Sequence, residues 1–371
     1  MFTPKYLEEG RALVKGARKI VNYERDRARP EHLAAIEEKV DELKAALKSR
    51  SSDKVREVEQ KLLPMLNSVQ PIRSHHSIRE NAELFVVAIV LALGIRAFYL
   101  QPFKIPTGSM QPTLNGVIAK QTETPPPNLL VRTFQFLTLG RSYEDVICKA
   151  HADQIAEVTA VKVNHFWDGS VIEMASGDTY TVGISPEVLK YQMGLHIGQM
   201  FSRGQPIVRG YADLGDQLFV DKFSYNLFGL HRGDVFVFRT NGIIGIRPGP
   251  DLSSQHYIKR LAGVPGDTLR IVQPRLFIDA KEATEFGFKR VESQKDGYTG
   301  YTNNFPGGGS MLYLGDPNST VTVPAKSYFV LGDNSANSAD SRYWGFVPEA
   351  NVVGRGLFVY WPFTKHWGLV R

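Results

Sequence analysis

The strongest constraint on this chain is an apolar run, LFVVAIVLALGI from Leu84 to Ile95. It continues through Ala97, Phe98, Tyr99 and Leu100, with only Arg96 interrupting. A helix needs about 20 apolar residues to cross a bilayer, and the uninterrupted core here is shorter. Arg96 lies near one end, where its head can snorkel to the interface. Tyr99 and Phe103 fall where an aromatic belt lies, and Ser77-x-x-Glu80 forms a capping box ahead of the run. The reading is a single transmembrane helix over 79–102, and a buried core helix competes with it. About eighty residues precede the run, so it is not a removable leader. Arg56, Lys61, Arg73 and Arg79 stand on its N-terminal side, which puts that side in the cytoplasm and everything after about residue 102 outside.

Residues 1–78 are charged and helical in pattern. Thr3-Pro4 is a helix start, with a cap followed by proline at the first helical position. Leu33, Ile36, Val40, Leu43 and Leu47 form one stripe. Ser51-Ser52-Asp53 breaks the run and caps a second helix, in which Val55, Val58 and Leu62 repeat the spacing up to Pro64. A helical hairpin with facing stripes accounts for this pattern. It reads as a solvated appendage, or alternatively as a self-association or partner module.

After residue 103, short β-branched and aromatic runs alternate with Gly, Pro, Asn and Asp turns. The runs are Glu157–His165, Gly169–Met174, Thr179–Val182, Gln217–Lys222, Asp234–Phe238, Thr268–Val272, Ser327–Leu331 and Gly356–Tyr360. Asp168-Gly169 and Gly177-Asp178 are hairpin signals. Ser185-Pro186-Glu187 caps one helix over Val188 to Met193, and Pro125–Pro127 and Pro306–Gly309 read as loops. The fold class is therefore mostly β and antiparallel, preceded by the single transmembrane helix and the N-terminal helical module. The net charge of +6 is spread over 371 residues, which gives no support for nucleic-acid binding. The single cysteine, Cys148, excludes an intrachain disulfide and a multi-thiolate zinc site, and it reads as a small buried hydrophobe.

HExxH, a phosphate-binding loop and GxSxG are all absent. Three segments carry the remaining chemistry. In FKIPTGSMQPTL, from Phe103 to Leu114, Gly108 removes bulk beside the Ser109 hydroxyl and Pro106 and Pro112 stiffen its flanks. In Tyr257-Ile258-Lys259-Arg260, strand alternation puts Tyr257 and Lys259 on one face. A lysine facing an apolar interior loses proton affinity and can deprotonate a serine, whereas a lysine with its head in water cannot. The third segment runs from Gly332-Asp333-Asn334 to Arg342. It is dense in small polar residues that can hydrogen-bond a buried amine, and Asp340 and Arg342 are spaced for an ion pair.

Together these segments resemble the type I signal peptidase family. They occur in the family's order, with Gly215-Asp216 through Lys222-Phe223 and Arg232-Gly233-Asp234-Val235 between them. The resemblance covers about 84–114 and 213–363. It implies a serine endopeptidase with Ser109 as nucleophile and Lys259 as general base. It also implies an oxyanion hole from the Ser109 N–H and the Thr107 hydroxyl, with Ser338 orienting the lysine. Asp340 and Arg342 become a structural pair near the dyad, and Phe103, Ile105, Pro106, Tyr257 and Ile258 become groove walls. The implied substrates are exported pre-proteins cut after Ala-x-Ala-type sites beside membrane lipid, with no metal or organic cofactor. The implied location is the bacterial cytoplasmic membrane, single-pass, with the domain from 103 to 371 outside. Ser335-Ala336 departs from the Arg-Asp common at that point, which reads as a change to a surface feature of the loop. Residues 116–210 form a folded insertion atypical of the family. Two other readings stay open: a non-catalytic, membrane-tethered binding protein on the same fold, and a self-cleaving Ser–Lys repressor-like protease.

Overall fold

The structure is a computed structural model that describes residues 4–26, 28–69, 76–163, 167–246, 255–303 and 311–371, with backbone alone for 76–80, 167 and 168. Thr3, the Ser77 and Glu80 capping box, His165 and the Pro306–Gly309 loop therefore lie outside the described residues or side chains. Met1–Leu91 and Ala92–Arg371 form two separate compact units.

The first unit contains α1 (Lys5–Glu24), α2 (Pro30–Ser49) and α3 (Ser52–Val69). The expected hairpin is thus a three-helix assembly. Ala17 and Val21 of α1 join Ile36, Val40 and Leu43 of α2 and Val55, Leu62 and Leu66 of α3 in one core. Pro4 is the residue before α1 and not its first helical position. Helix α3 continues through Pro64. A proline there forfeits one backbone donor, but Leu62 and Leu66 are buried on either side of it and favour continuing the helix. Helix α4 (His76–Phe98) carries the apolar run. Its segment Asn81–Phe98 is long and apolar enough to cross a membrane, with a mean hydropathy of 1.9 and no residue of that window buried.

The second unit follows as β1 (Leu100–Lys104), β2 (Ile118–Gln121), α5 (Leu129–Leu139), β3 (Arg141–Ile147), β4 (Ala152–Val163), β5 (Trp167–Met174), β6 (Thr179–Val182), α6 (Pro186–Tyr191), β7 (Met200–Ser202) and β8 (Pro206–Asp213). Then come β9 (Gln217–Asp221), α7 (Phe223–Phe228), β10 (Val235–Arg239), β11 (His256–Gly263), β12 (Thr268–Val272), β13 (Arg275–Ile278), β14 (Lys281–Glu282) and α8 (Phe286–Glu292). The chain ends with β15 (Val321–Thr322), β16 (Ser327–Leu331), α9 (Ser341–Trp344), β17 (Val347–Pro348), β18 (Val352–Trp361) and β19 (Gly368–Leu369).

The main sheet is antiparallel in the order β1-β9-β18-β10-β11-β16-β17, with β19 on β18. Its central strand β10 is buried from Val235 to Phe238, as expected of a strand covered on both faces. Inside the edge strand β1, β9 alternates, burying Leu218 and Val220. A satellite sheet, β14-β13-β12-β15, packs around Phe288, Tyr301 and Phe329.

The stretch 116–210 is folded in its own right. It supplies the sheets β2-β8-β3 and β6-β5-β4-β7, around a core that includes Ile155, Ile172, Leu189, Phe201 and the buried Cys148. Asp168-Gly169 is not a turn. It lies inside β5, where a Cβ on Gly169 would come within 2.4 Å of the Val182 carbonyl oxygen, so glycine permits close strand approach. Gly177 does turn the chain, with φ of 91°. Helix α6 begins two residues earlier than the spacing predicts. Helix α5 was not anticipated, although Asn128 caps it by accepting from the Val131 N–H at 3.0 Å and Gly140 ends it in the left-handed region.

Candidate active site

Ser109 sits in a short helical turn, Gly108–Met110, five residues beyond β1. Two glycines allow neighbouring backbone to press against the strand leading to it. A Cβ on Gly215 would stand 1.7 Å from the Ile105 carbonyl oxygen, and one on Gly116 would stand 2.2 Å from the Thr107 carbonyl carbon. Met110 and Leu114 anchor the far side of the turn in the core shared with Ile105, Leu218, Val237 and Ile258.

Strand β11 brings in Lys259. Its Nζ lies 2.8 Å from Ser109 Oγ and 3.1 Å from the Ile258 carbonyl oxygen. Lys259 is only 5% exposed and Ser109 9%. Burial is the main cause that pulls the Lys259 amine from 10.5 down to about 8; Arg342 pushes the same way, while Asp340 and Asp333 oppose it in part. The amine is therefore poised to exchange a proton near neutral pH.

The adjacent residue, Arg260, faces the other way and is fully buried. It forks onto Asp333 with Nε–Oδ1 of 2.8 Å and Nη2–Oδ2 of 2.6 Å. It also donates to the Gly233 carbonyl at 2.6 Å and to Thr113 Oγ1 at 3.2 Å. The Thr113 hydroxyl donates in turn to Asp333. Beside Asp333, the Asn334 N–H donates to the Ser109 carbonyl at 3.0 Å, and Asn334 Nδ2 to the Gly108 carbonyl at 3.2 Å. The Ser109 turn, β11 and the 332–342 loop are thereby locked together. Asp333, Asn334, Arg260 and Thr113 all stand within the three conspicuous segments of the sequence. Their chain separations hid the partnership.

Asp340 and Arg342 form a fully buried bidentate pair, with Nε–Oδ1 and Nη2–Oδ2 both 2.8 Å. Asp340 also accepts the Gly332 N–H at 2.9 Å. Ser335, expected at the surface, is buried. Its Oγ accepts from Arg342 Nη1 at 2.9 Å and from the Thr302 N–H at 3.1 Å. A small hydroxyl fits under the guanidinium there and becomes part of its shell.

Ser338 is fully buried, but its Oγ has no hydrogen-bond partner and does not meet Lys259. The lysine head turns instead to the Ile258 carbonyl. Gly332 lies between the two serines: a Cβ there would come within 2.1 Å of Ser338 Oγ and 2.7 Å of the Ser109 carbonyl oxygen.

Ile105 and Ile258 share one apolar cluster, against which Phe103 packs. The Phe103 ring lies 5.2 Å from that of His256. Tyr257 packs beside Phe238, and Lys259 Nζ is 5.5 Å from its ring centre. Among the described residues, β1 pairs only with β9, and β16 pairs with β11 only from Arg260 onward. The outer edge of β1 and the first half of β11 therefore have no further strand partner among the described residues. His256 stands beside Phe103, and burial holds its imidazole below the usual value, helped by Arg239 and Lys222. Pro106 and Thr107 are exposed. Pro106, Thr107 and Gly108 stand on the wall of a cleft facing residues of β4, β5 and α6. Among the described residues, no cluster of three or more His, Cys, Asp or Glu has the arrangement of a metal site.

The family model described as signal peptidase, peptidase S26, matches residues 78–124 and 211–361, just over half of the chain. A signal peptidase I of Leptolyngbya laminosa is 32% identical over 153 residues, covering 41% of this chain and 64% of its own length. The chain thus spans slightly less than two thirds of that relative. Signal peptidase I V of Bacillus subtilis is 34% identical over 140 residues, covering 38% of this chain and 72% of its own length. A solved signal peptidase I from Enterococcus faecalis matches at 32% identity over 34% of this chain and 95% of that one, with a TM-score of 0.24.

Proposed function

The chain belongs to the signal peptidase family, peptidase S26, and from that membership we propose that it is a membrane-anchored serine endopeptidase that removes signal peptides from exported pre-proteins. The observation that carries this reading is the 2.8 Å contact between Ser109 Oγ and a buried Lys259 whose amine is pulled down to about 8. Neutral Lys259 takes the Ser109 proton as Oγ attacks the scissile carbonyl, and then returns it to the leaving amine. The Ser109 N–H and the Thr107 hydroxyl donate to the oxyanion that forms. Ser338, a buried hydroxyl without a partner, is available to hold the ammonium once Ser109 has moved to the substrate.

The signal peptide lies as an added strand between β1 and the first half of β11. Phe103, Ile105, Tyr257 and Ile258 shape small pockets suited to an Ala-x-Ala-type site, and Pro106 borders the point of cleavage. Asn81–Phe98 crosses the cytoplasmic membrane once, which holds the 103–371 domain outside and the helices of 1–78 inside. Ser109, a few residues beyond that anchor, then works close to the lipid.

The test is cleavage of a pre-protein in detergent by the wild-type chain, Ser109→Ala and Lys259→Ala. Both variants should lose about three orders of magnitude or more in kcat, and undiminished cleavage by either one refutes the dyad. Binding of the signal peptide that persists with no cleavage by the wild type would favour the non-catalytic reading.

A further inference from the structure

The stretch 116–210 walls a cleft of about 580 Å³ whose opposite wall is Pro106, Thr107 and Gly108, the backbone immediately before the nucleophile. This volume lies within the roughly 300–1,000 Å³ typical of ligand pockets, room for a short run of peptide. Most of the insertion, 125–210, lies outside the residues that match the family model, so this cleft is a property of this chain.

Three consecutive residues of β4, Ala160, Val161 and Lys162, border the cleft. Gly169, the β5 partner of Val161, lines it as well, so the cleft opens over the β4–β5 ladder at Val161. Val188 and the 76% exposed Tyr191 add apolar surface at the start and end of α6.

Resting on the peptidase reading, we propose that this cleft binds the residues just beyond the scissile bond, on the leaving side of the pre-protein, as an extended segment along β4. The order of features along the chain supports the direction. Phe103 and Ile105 border the signal-peptide groove, Thr107 stands at the position of the oxyanion donor, and Thr107–Gly108 then open into the cleft. A polypeptide threaded through the groove reaches Ser109 first and the cleft afterwards. Its small or apolar side chains find Val161, Val188 and Tyr191. The insertion thus selects among pre-proteins by their first mature residues.

The experiment uses the full chain in detergent and two peptide series with an identical Ala-x-Ala side. One series ends in a fluorogenic amide in place of the mature residues, and the other continues for several mature residues. Tyr191→Ala and Val161→Arg change partly exposed positions outside the dyad. Both should lower kcat/KM for the extended series about tenfold, as expected for one lost or blocked side-chain contact, and leave the truncated series unchanged. Equal losses in both series, or no loss in either, overturn the proposal while cleavage itself stands. Failure of the wild type to cut either series overturns the peptidase reading beneath it.

Discussion

If Lys259 acts as a neutral base, activity must follow its protonation. The perturbation is pH, and the burial of Nζ sets the midpoint at about 8. Only the neutral amine accepts the serine proton, so kcat/KM should stand near one tenth of its alkaline plateau at about pH 7 and near one hundredth at about pH 6. The assay is kcat/KM for a fluorogenic Ala-x-Ala peptide, followed across this range in detergent at fixed ionic strength. In an Asp340→Asn variant the midpoint should move to lower pH, because Asp340 is a nearby charge that holds the proton on Lys259. A profile flat from about pH 6 to 9, or an alkaline shift in Asp340→Asn, refutes the assignment of Lys259 as base. The same displacement has a stability counterpart. Between about 8 and 10.5 the unfolded chain holds a proton that the folded chain has released, so stability rises with pH across this window and the penalty is fully present below it. Its size is about 3 kcal/mol. A Lys259→Met variant should therefore be inactive yet melt at a higher temperature than the wild type at neutral pH.

Two further outcomes concern the scaffold around the dyad. Gly332→Ala inserts a methyl group against Ser338 Oγ and the Ser109 carbonyl, so it should cost about 1–3 kcal/mol in stability and lower kcat more than it raises KM, read by melting and steady-state kinetics. Arg260→Met leaves Asp333 charged in the interior without its ion-pair partner and should destabilise by about 3–5 kcal/mol, whereas Arg260→Met with Asp333→Leu should recover most of that loss in urea unfolding.

The legible parts of this fold were those with local causes. Short β-branched and aromatic runs bounded by turn residues gave Thr179–Val182, Thr268–Val272 and Ser327–Leu331 with the bounds that β6, β12 and β16 have. Asp168-Gly169 misled because glycine serves both turns and close strand contacts, and only the partner strand distinguishes them. Helix α5 escaped because its exposed apolar residues, Leu129, Leu130 and Phe134 among them, do not follow the one-sided pattern that marks a surface helix. At the site, Ser109 and Lys259 were found through their flanking segments. What remained invisible was the set of contacts across long chain separations, such as Asn334 on the nucleophile turn, and the replacement of a Ser338–Lys259 bond by the Ile258 carbonyl. No spacing rule encodes either.

On the peptidase reading, the lock formed by Thr113, Arg260 and Asp333 has a consequence for when the chain becomes able to cut. Ser109 and Lys259 are 150 residues apart, and Asp333 is 220 residues from Thr113. Contacts so distant in sequence form late, because the loop-closure cost is met before they repay it. A chain completed only as far as β11 contains both reacting groups, but it lacks the carboxylate that neutralises Arg260 and the Asn334 contacts that hold the serine turn. On that reading, competence is thus tied to docking of Asp333 and Asn334, which lie in about the last ninth of the polypeptide.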